Sequence, residues 1–241
     1  GLTSATPCPI KPPMKTRNVA AVCSLILAGS LSAEAAGASK PDILFIMPDQ
    51  WRGDCLSAVG HPVVRTECLD ALAKEGALFR RAYTTVPSCI PARFALLTGQ
   101  FPQTSGVVGY KAKKITVPTL PALMRDAGYA TVLVGRNMHQ LAGSDLGYQQ
   151  EILGSTYVAD DAYDKSLNAA ASKTVGIRQL VAELGLTNNG WRAAPWPLSD
   201  NLHPTAWIVR ESRRIVDETP SDQALFLTAS FYAPHPPLMP P

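Results

Sequence analysis

The sequence predicts an α/β fold with a mainly parallel central sheet flanked by helices, and three observations predict it. Residues 42–47 (DILFIM), 129–134 (YATVLV) and 224–231 (ALFLTASF) are short, continuous apolar runs, the pattern of strands buried on both faces of a parallel sheet. Segments with helical spacing lie between them. Each run is followed by polar residues: Asp49-Gln50, residues 136–139 and His235. Ligands of open α/β sheets bind beyond the carboxyl ends of the strands, so these three clusters are expected to share one site.

In chain order, the first strand closes at Pro48-Asp49. Residues 66–76 (TECLDALAKEG) place Leu69, Leu72 and Ala73 on one helical face, with Thr66 as cap and Gly76 as stop. Residues 77–85 are a strand candidate. Short helices are expected over 91–98 and 119–127, the second closed by Gly128 ahead of the 129–134 strand. Residues 143–201 read as polar and loop-rich, with one helix near 173–184. Pro204 opens a helix over 204–216, with Ile208, Ser212 and Ile215 on one face. The 224–231 strand follows, and no internal repeat is visible.

Of the 241 residues, 46% are hydrophobic and 17% charged, a globular composition. Residues 1–36 carry Lys11, Lys15, Arg17 and Glu34, three of the 22 basic and one of the 19 acidic side chains, so the remainder is net +1. That balance calls for neither nucleic acid nor an anionic membrane surface. Residues 14–36 have the build of a signal peptide: Lys15 and Arg17, an apolar run over 19–31, and Ala33-Glu34-Ala35 for cleavage. The run is too short for a stable membrane span, so export to the periplasm or medium is expected. Residues 1–13 read as an upstream extension outside the fold, and residues 37–241 as the folded part. Of its three cysteines, Cys55 and Cys68 could pair, while an odd count leaves a thiol over.

Residues 87–99 (PSCIPARFALLTG) contain Cys89-x-Pro-x-Arg93, extended by Leu96-Leu97-Thr98-Gly99. This segment resembles the signature of the formylglycine-dependent sulfatases, of alkaline-phosphatase-like fold. The resemblance implies that Cys89 is oxidised to formylglycine by a dedicated generating enzyme. The hydrated aldehyde then attacks the ester, and covalent catalysis divides one displacement into two easier steps. Arg93, one helical turn from Cys89, can orient the nucleophile and offset its charge. Ile90 departs from the small residue usual after the cysteine.

The resemblance extends over residues 40–241. Residues 41–50 look like the family's opening strand, which implies that Asp49 and Gln50, with the modified Cys89, ligate a metal: Ca2+, with Mg2+ as the alternative. Calcium prefers hard oxygen donors, and a carboxylate beside an amide supplies two. Residues 128–139 resemble the stretch where the family carries Lys-x-His facing the sulfate. Counted from Gly128, Arg136 stands at the lysine position; counted from His139, Asn137 does. Both are candidate substrate-binding residues, and His139 a candidate catalytic one. Residues 231–237 (FYAPHPP) resemble the strand-end histidine motif, which implies that His235 contacts the sulfate or the leaving-group oxygen. His61 and His203 read as turn and helix-entry structure.

The implied activity is hydrolysis of an aryl or carbohydrate sulfate ester. A phosphonate or phosphate ester hydrolase of the same superfamily, and an inactive truncated fragment, stay open. Calcium takes six to eight oxygens, more than Asp49, Gln50 and Cys89 provide, and the family's other ligands come later. The chain is therefore expected to be the N-terminal part of a longer catalytic domain.

Overall fold

In the computed structural model, residues 40–111, 113–137, 145–156, 158–171 and 176–241 are described. Four strands, β1 (Ile43–Pro48), β2 (Ala130–Gly135), β3 (Gln150–Leu153) and β4 (Leu225–Phe231), form one parallel sheet in the order β1-β4-β2-β3. The last strand in sequence is thus inserted between the first two, with Leu44 opposite Leu227 and Val132 opposite that same residue. A strand paired on both sides and covered on both faces is predominantly apolar, and β4 and β2 are buried along almost their whole length, their hydroxyl residues Thr131, Thr228 and Ser230 included.

β1 is not. Leu44 and Ile46 are 56% and 48% exposed, which corrects the expectation of burial on both faces. β1 lies at the sheet edge, so its side chains alternate between a covered and, among the described residues, an open face.

Period-two alternation divides the sheet's core in two. Val132, Val134, Leu225 and Leu227 point into the main cluster. There they meet α7 (Pro204–Glu218), whose Trp207, Ile208, Ser212 and Ile215 are buried at helical spacing. Thr228 points the other way and accepts a hydrogen bond from Tyr148 Oη at 2.9 Å. Tyr148 in turn stacks on Phe226. Beyond β2, α4 (Leu120–Asp126) packs against the strand and against α2 (Cys89–Thr98).

The expected helices appear as α2, α4, α6 (Ile177–Glu183) and α7. Three short or weakly patterned elements were not expected: α3 (Pro102–Ser105), β3 and α5 (Ala162–Ala170). The 143–201 segment is therefore more structured than its polarity suggests. Asp161 caps α5, its carboxylate accepting from Asp164 N at 2.8 Å, and Tyr163 and Leu167 reach the main core. The strand candidate at 77–85 forms no strand. Arg80 and Arg81 would put charge on both faces there, and Phe79 and Tyr83 stand exposed.

Residues 53–81 form a compact unit separate from residues 39–52 and 82–241. It holds α1 (Glu67–Glu75), bounded by Thr66 and Gly76 as expected, although the Thr66 hydroxyl donates to Asp70 Oδ1 at 2.9 Å and caps no backbone N–H of the helix. Asp70 ties the helix to the 3-10 turn Ser57–Val59, accepting from Ser57 Oγ at 2.7 Å and Ala58 N at 3.0 Å. Cys55 keeps its thiol, which donates to Asp54 at 3.8 Å, so the pairing with Cys68 is not made. The extension, the signal segment and His139 lie outside the described residues. No described helix is long and apolar enough to cross a membrane.

Candidate active site

Asp49 is the first residue beyond β1. Its N–H donates to Phe231 O at 3.0 Å, which carries the β1–β4 pairing one step past the strand and holds the carboxylate over the sheet's carboxyl edge. The residue is 5% exposed.

Cys89 opens α2, behind Ser88 in extended conformation. Pro91 sits in the first turn, where its missing N–H has no intrahelical partner to lose. The thiol therefore stands at the positive end of a ten-residue helix. It lies 3.5 Å from Asp49 Oδ1 and 3.9 Å from Tyr110 Oη. Arg93, one turn later on the same face, donates from Nη2 to Asp49 Oδ2 at 2.6 Å and from Nη1 to Ser230 Oγ at 3.5 Å.

Arg136 arrives from β2. Gly135 before it has φ +101°, and a Cβ there would meet Ser230 O at 2.1 Å, so only glycine permits this exit from the strand. Arg136 N then donates to Ser230 O at 2.9 Å. Its Nη1 makes a second ion pair to Asp49 Oδ2, while the guanidinium lies over the Tyr232 ring, 4.8 Å from the centroid. His235, beyond β4, has its ring 4.9 Å from that of Tyr232. Its Nδ1 lies 2.7 Å from Pro236 O. A carbonyl only accepts, so Nδ1 is the nitrogen that donates there, and Nε2 is the one turned away from this bond.

Two guanidiniums share one carboxylate beside the thiol. Burial lowers the proton affinity of Arg93, the Asp49 charge opposes that, and the Arg136 charge adds to it. The helix end and the two nearby guanidiniums together favour an anion next to Cys89.

Of the candidate residues, Asp49, Cys89, Arg93, Arg136 and His235 come together. Gln50 follows at φ +59° and is exposed; Asn137 is half-buried beside Arg136. Tyr110 and Tyr232 were not anticipated: no spacing rule connects Tyr110 to Cys89, and Tyr232 lay unremarked inside the histidine motif.

Asp49, Cys89 and His235 each present a ligand atom, all within 4.8 Å of one another. One carboxylate oxygen, one thiol and one imidazole do not suit calcium, which wants six to eight hard oxygens. The pocket does suit an oxygen in place of sulfur at Cys89, because the Asp49 carboxylate and the Tyr110 hydroxyl both hydrogen-bond hydroxyls.

The family profile described as Sulfatase matches residues 41–241. An arylsulfatase of Clostridium perfringens is 35% identical over 219 residues, covering 84% of this chain and 45% of that protein. A choline-sulfatase of Rhizobium meliloti is 36% identical over 123 residues, 50% of this chain and 24% of its own. Among solved structures, the phosphonate monoester hydrolase of Agrobacterium radiobacter superposes with a TM-score of 0.70 at 28% identity, covering 83% of this chain and 42% of that one. The chain thus spans under half the length of these relatives, and its sheet and flanking helices are those of the alkaline-phosphatase-like fold. With the profile running from the opening strand through the strand-end histidine, the chain belongs to the sulfatase family.

Proposed function

We propose that the whole protein hydrolyses sulfate esters of aryl compounds or carbohydrates, with a nucleophile made from Cys89. The observation that carries this reading is the position of Cys89: first residue of α2, one turn before Arg93 and 3.5 Å from the Asp49 carboxylate. Converted to formylglycine by a generating enzyme and hydrated, it would supply an oxygen nucleophile where the thiol stands. Arg93 and Arg136 hold Asp49 in place and put guanidinium groups beside the site where an oxyanion would develop. His235, whose Nδ1 donates to Pro236 O, offers Nε2 to accept a proton or, once protonated, to pass it to the leaving-group oxygen. Calcium, or magnesium, would be held by Asp49, Gln50 and the converted Cys89, with further oxygens from beyond this segment. His139 and Asn137 are proposed for the same pocket, and residues 14–36 as the signal that sends the protein to the periplasm or medium.

The test is peptide mass spectrometry across Cys89 together with aryl sulfate turnover, using the whole protein made in a host that contains the generating enzyme. Formylglycine at Cys89, and loss of turnover in Cys89→Ala with an unchanged circular dichroism spectrum, are expected. Active enzyme bearing only the unmodified thiol would overturn the mechanism.

A second reading, hydrolysis of phosphonate or phosphate esters, is favoured by two observations. One is the likeness to the Agrobacterium enzyme; the other is the forked cation of Arg136, which, counted from Gly128, stands at the position of the sulfatase lysine, while counted from His139 that position is Asn137. Faster turnover of a phosphonate monoester than of an aryl sulfate would make it the primary one.

A further inference from the structure

The donor set that fails calcium fits another metal. Before conversion Cys89 is a thiol, and a carboxylate, a thiolate and an imidazole are the ligands that borderline cations select. We propose that the unconverted protein binds Zn2+ through Asp49 Oδ1, Cys89 Sγ and His235 Nε2, with the fourth position open.

The geometry supports each ligand. A tetrahedral ion with Zn–S of about 2.3 Å and Zn–O of about 2.0 Å requires an S···O edge of about 3.5 Å. The Cys89 Sγ to Asp49 Oδ1 separation is 3.5 Å. Asp49, Cys89 and His235 each offer one ligand atom, and these lie within 4.8 Å of one another. Each ligand is also oriented from behind, as metal ligands commonly are. Asp49 Oδ2 is taken by Arg93 and Arg136, which leaves Oδ1 for the ion. The Nδ1–H of His235 is held by Pro236 O, which leaves Nε2.

The two arginines oppose a cation, and binding offsets this in part. The ion displaces the thiol proton to solvent, so Zn2+ and Cys–SH give Zn–S–Cys and one H+. The pocket thereby gains one unit of positive charge instead of two, and nothing is oxidised or reduced. Conversion of Cys89 replaces the soft ligand with oxygen, so metal preference at this site depends on the state of one residue. Zinc on the thiolate would also shield Cys89 from electrophiles.

The experiment uses the whole protein made in a host without the generating enzyme, its retained thiol verified by mass. Zn2+ is titrated against a chromophoric chelator, Co2+ serves as the spectroscopic probe, and alkylation by iodoacetamide is followed on the Cys89 peptide. One zinc per chain, a thiolate-to-cobalt charge-transfer band, and slower alkylation with Zn2+ but not with Ca2+ are expected. Cys89→Ser should abolish the band and weaken zinc binding on the order of 100-fold, because a neutral hydroxyl replaces a thiolate. His235→Gln should weaken zinc binding as well, with folding checked by circular dichroism. Zinc bound equally by Cys89→Ser, cobalt bound without the band, or alkylation unaffected by zinc would overturn the proposal. The proposal shares its site with the hydrolase reading but not its test. Failure of zinc binding leaves formylglycine and ester turnover in the converted protein untouched, and failure of conversion leaves the zinc titration untouched.

Discussion

Asp49→Asn tests whether the carboxylate organises the buried arginines. The substitution keeps the shape of the side chain and removes its charge, taking away the carboxylate with which Arg93 and Arg136, 5% and 3% exposed, both pair. Two unit charges about 4 Å apart interact by roughly 4 kcal/mol at an effective dielectric constant of 20. Removing one partner of a buried pair costs about 3–5 kcal/mol in general. A loss of about 3–5 kcal/mol is therefore expected. At roughly 2–4 °C per kcal/mol for a chain of this size, the midpoint should fall on the order of 10 °C. Adding Arg136→Met removes one of the two cations that had shared the carboxylate while keeping an unbranched stem, and should recover about half of the loss. The assay is thermal and urea unfolding followed by circular dichroism, in excess chelator so that bound cations contribute nothing. If Asp49→Asn lay within about 0.5 kcal/mol of wild type, or if the double variant were less stable than the single one, the account of the ion-pair triad would be wrong.

Three other perturbations follow from the packing. His203 caps α7 through Nδ1, which accepts from Thr205 N, while Nε2 faces Met239 O at 3.0 Å. Burial, the largest cause, pulls its proton affinity below the ordinary value, against the Met239 hydrogen bond and the Asp200 charge. Folding thus favours the neutral ring: its contribution is complete above about pH 6.5 and is lost as pH falls through the lowered value. The stability advantage of wild type over His203→Asn, measured by urea midpoints, should shrink between pH 7 and 5. Gly154→Ala should destabilise by about 1–3 kcal/mol or more in the same urea assay. A Cβ there meets Trp207 Cζ3 at 2.4 Å and Tyr163 Cβ at 2.7 Å. The Tyr148 phenol is pushed up to about 12, chiefly by burial, and so remains a donor to Thr228 at neutral pH. Tyr148→Phe should cost about 1 kcal/mol, seen as a lower thermal midpoint with an unchanged far-ultraviolet spectrum.

What was legible in the sequence was local. The spacing of Ile208, Ser212 and Ile215 announces α7, and Cys89 and Arg93 declare a shared face by their separation alone. The largely apolar run of β4 reveals a buried strand. β1 has a similar run but lies at the sheet edge, because β4 inserts beside it from 182 residues away at Ile43 and Leu225. Strand order is a long-range property that composition does not carry. α5 and β3 escaped because four or nine residues with few apolar positions fall below any useful window. In the site, residue types were readable but partners were not. Arg136 was expected to serve the substrate as a cation, and its guanidinium lies on Asp49 and Tyr232. Tyr110 reaches Cys89 from a loop with no pattern of its own.

The insertion of β4 also explains why an arginine stands after β2. All four strands run the same way, so residues 49, 136 and 232–235 emerge at one edge although far apart in sequence. Neighbouring strands lie about 4.8 Å apart. Asp49 and Arg136 leave strands two positions apart, so their backbones start roughly 10 Å from each other across the end of β4. A side chain from β2 must cross that end to reach the carboxylate, and the residue it crosses is Tyr232, directly after β4. The aromatic face attracts the guanidinium in transit, and the same ring packs beside His235. Strand order therefore requires a long cation and a flat residue beneath it, and both touch groups on which the proposed chemistry depends.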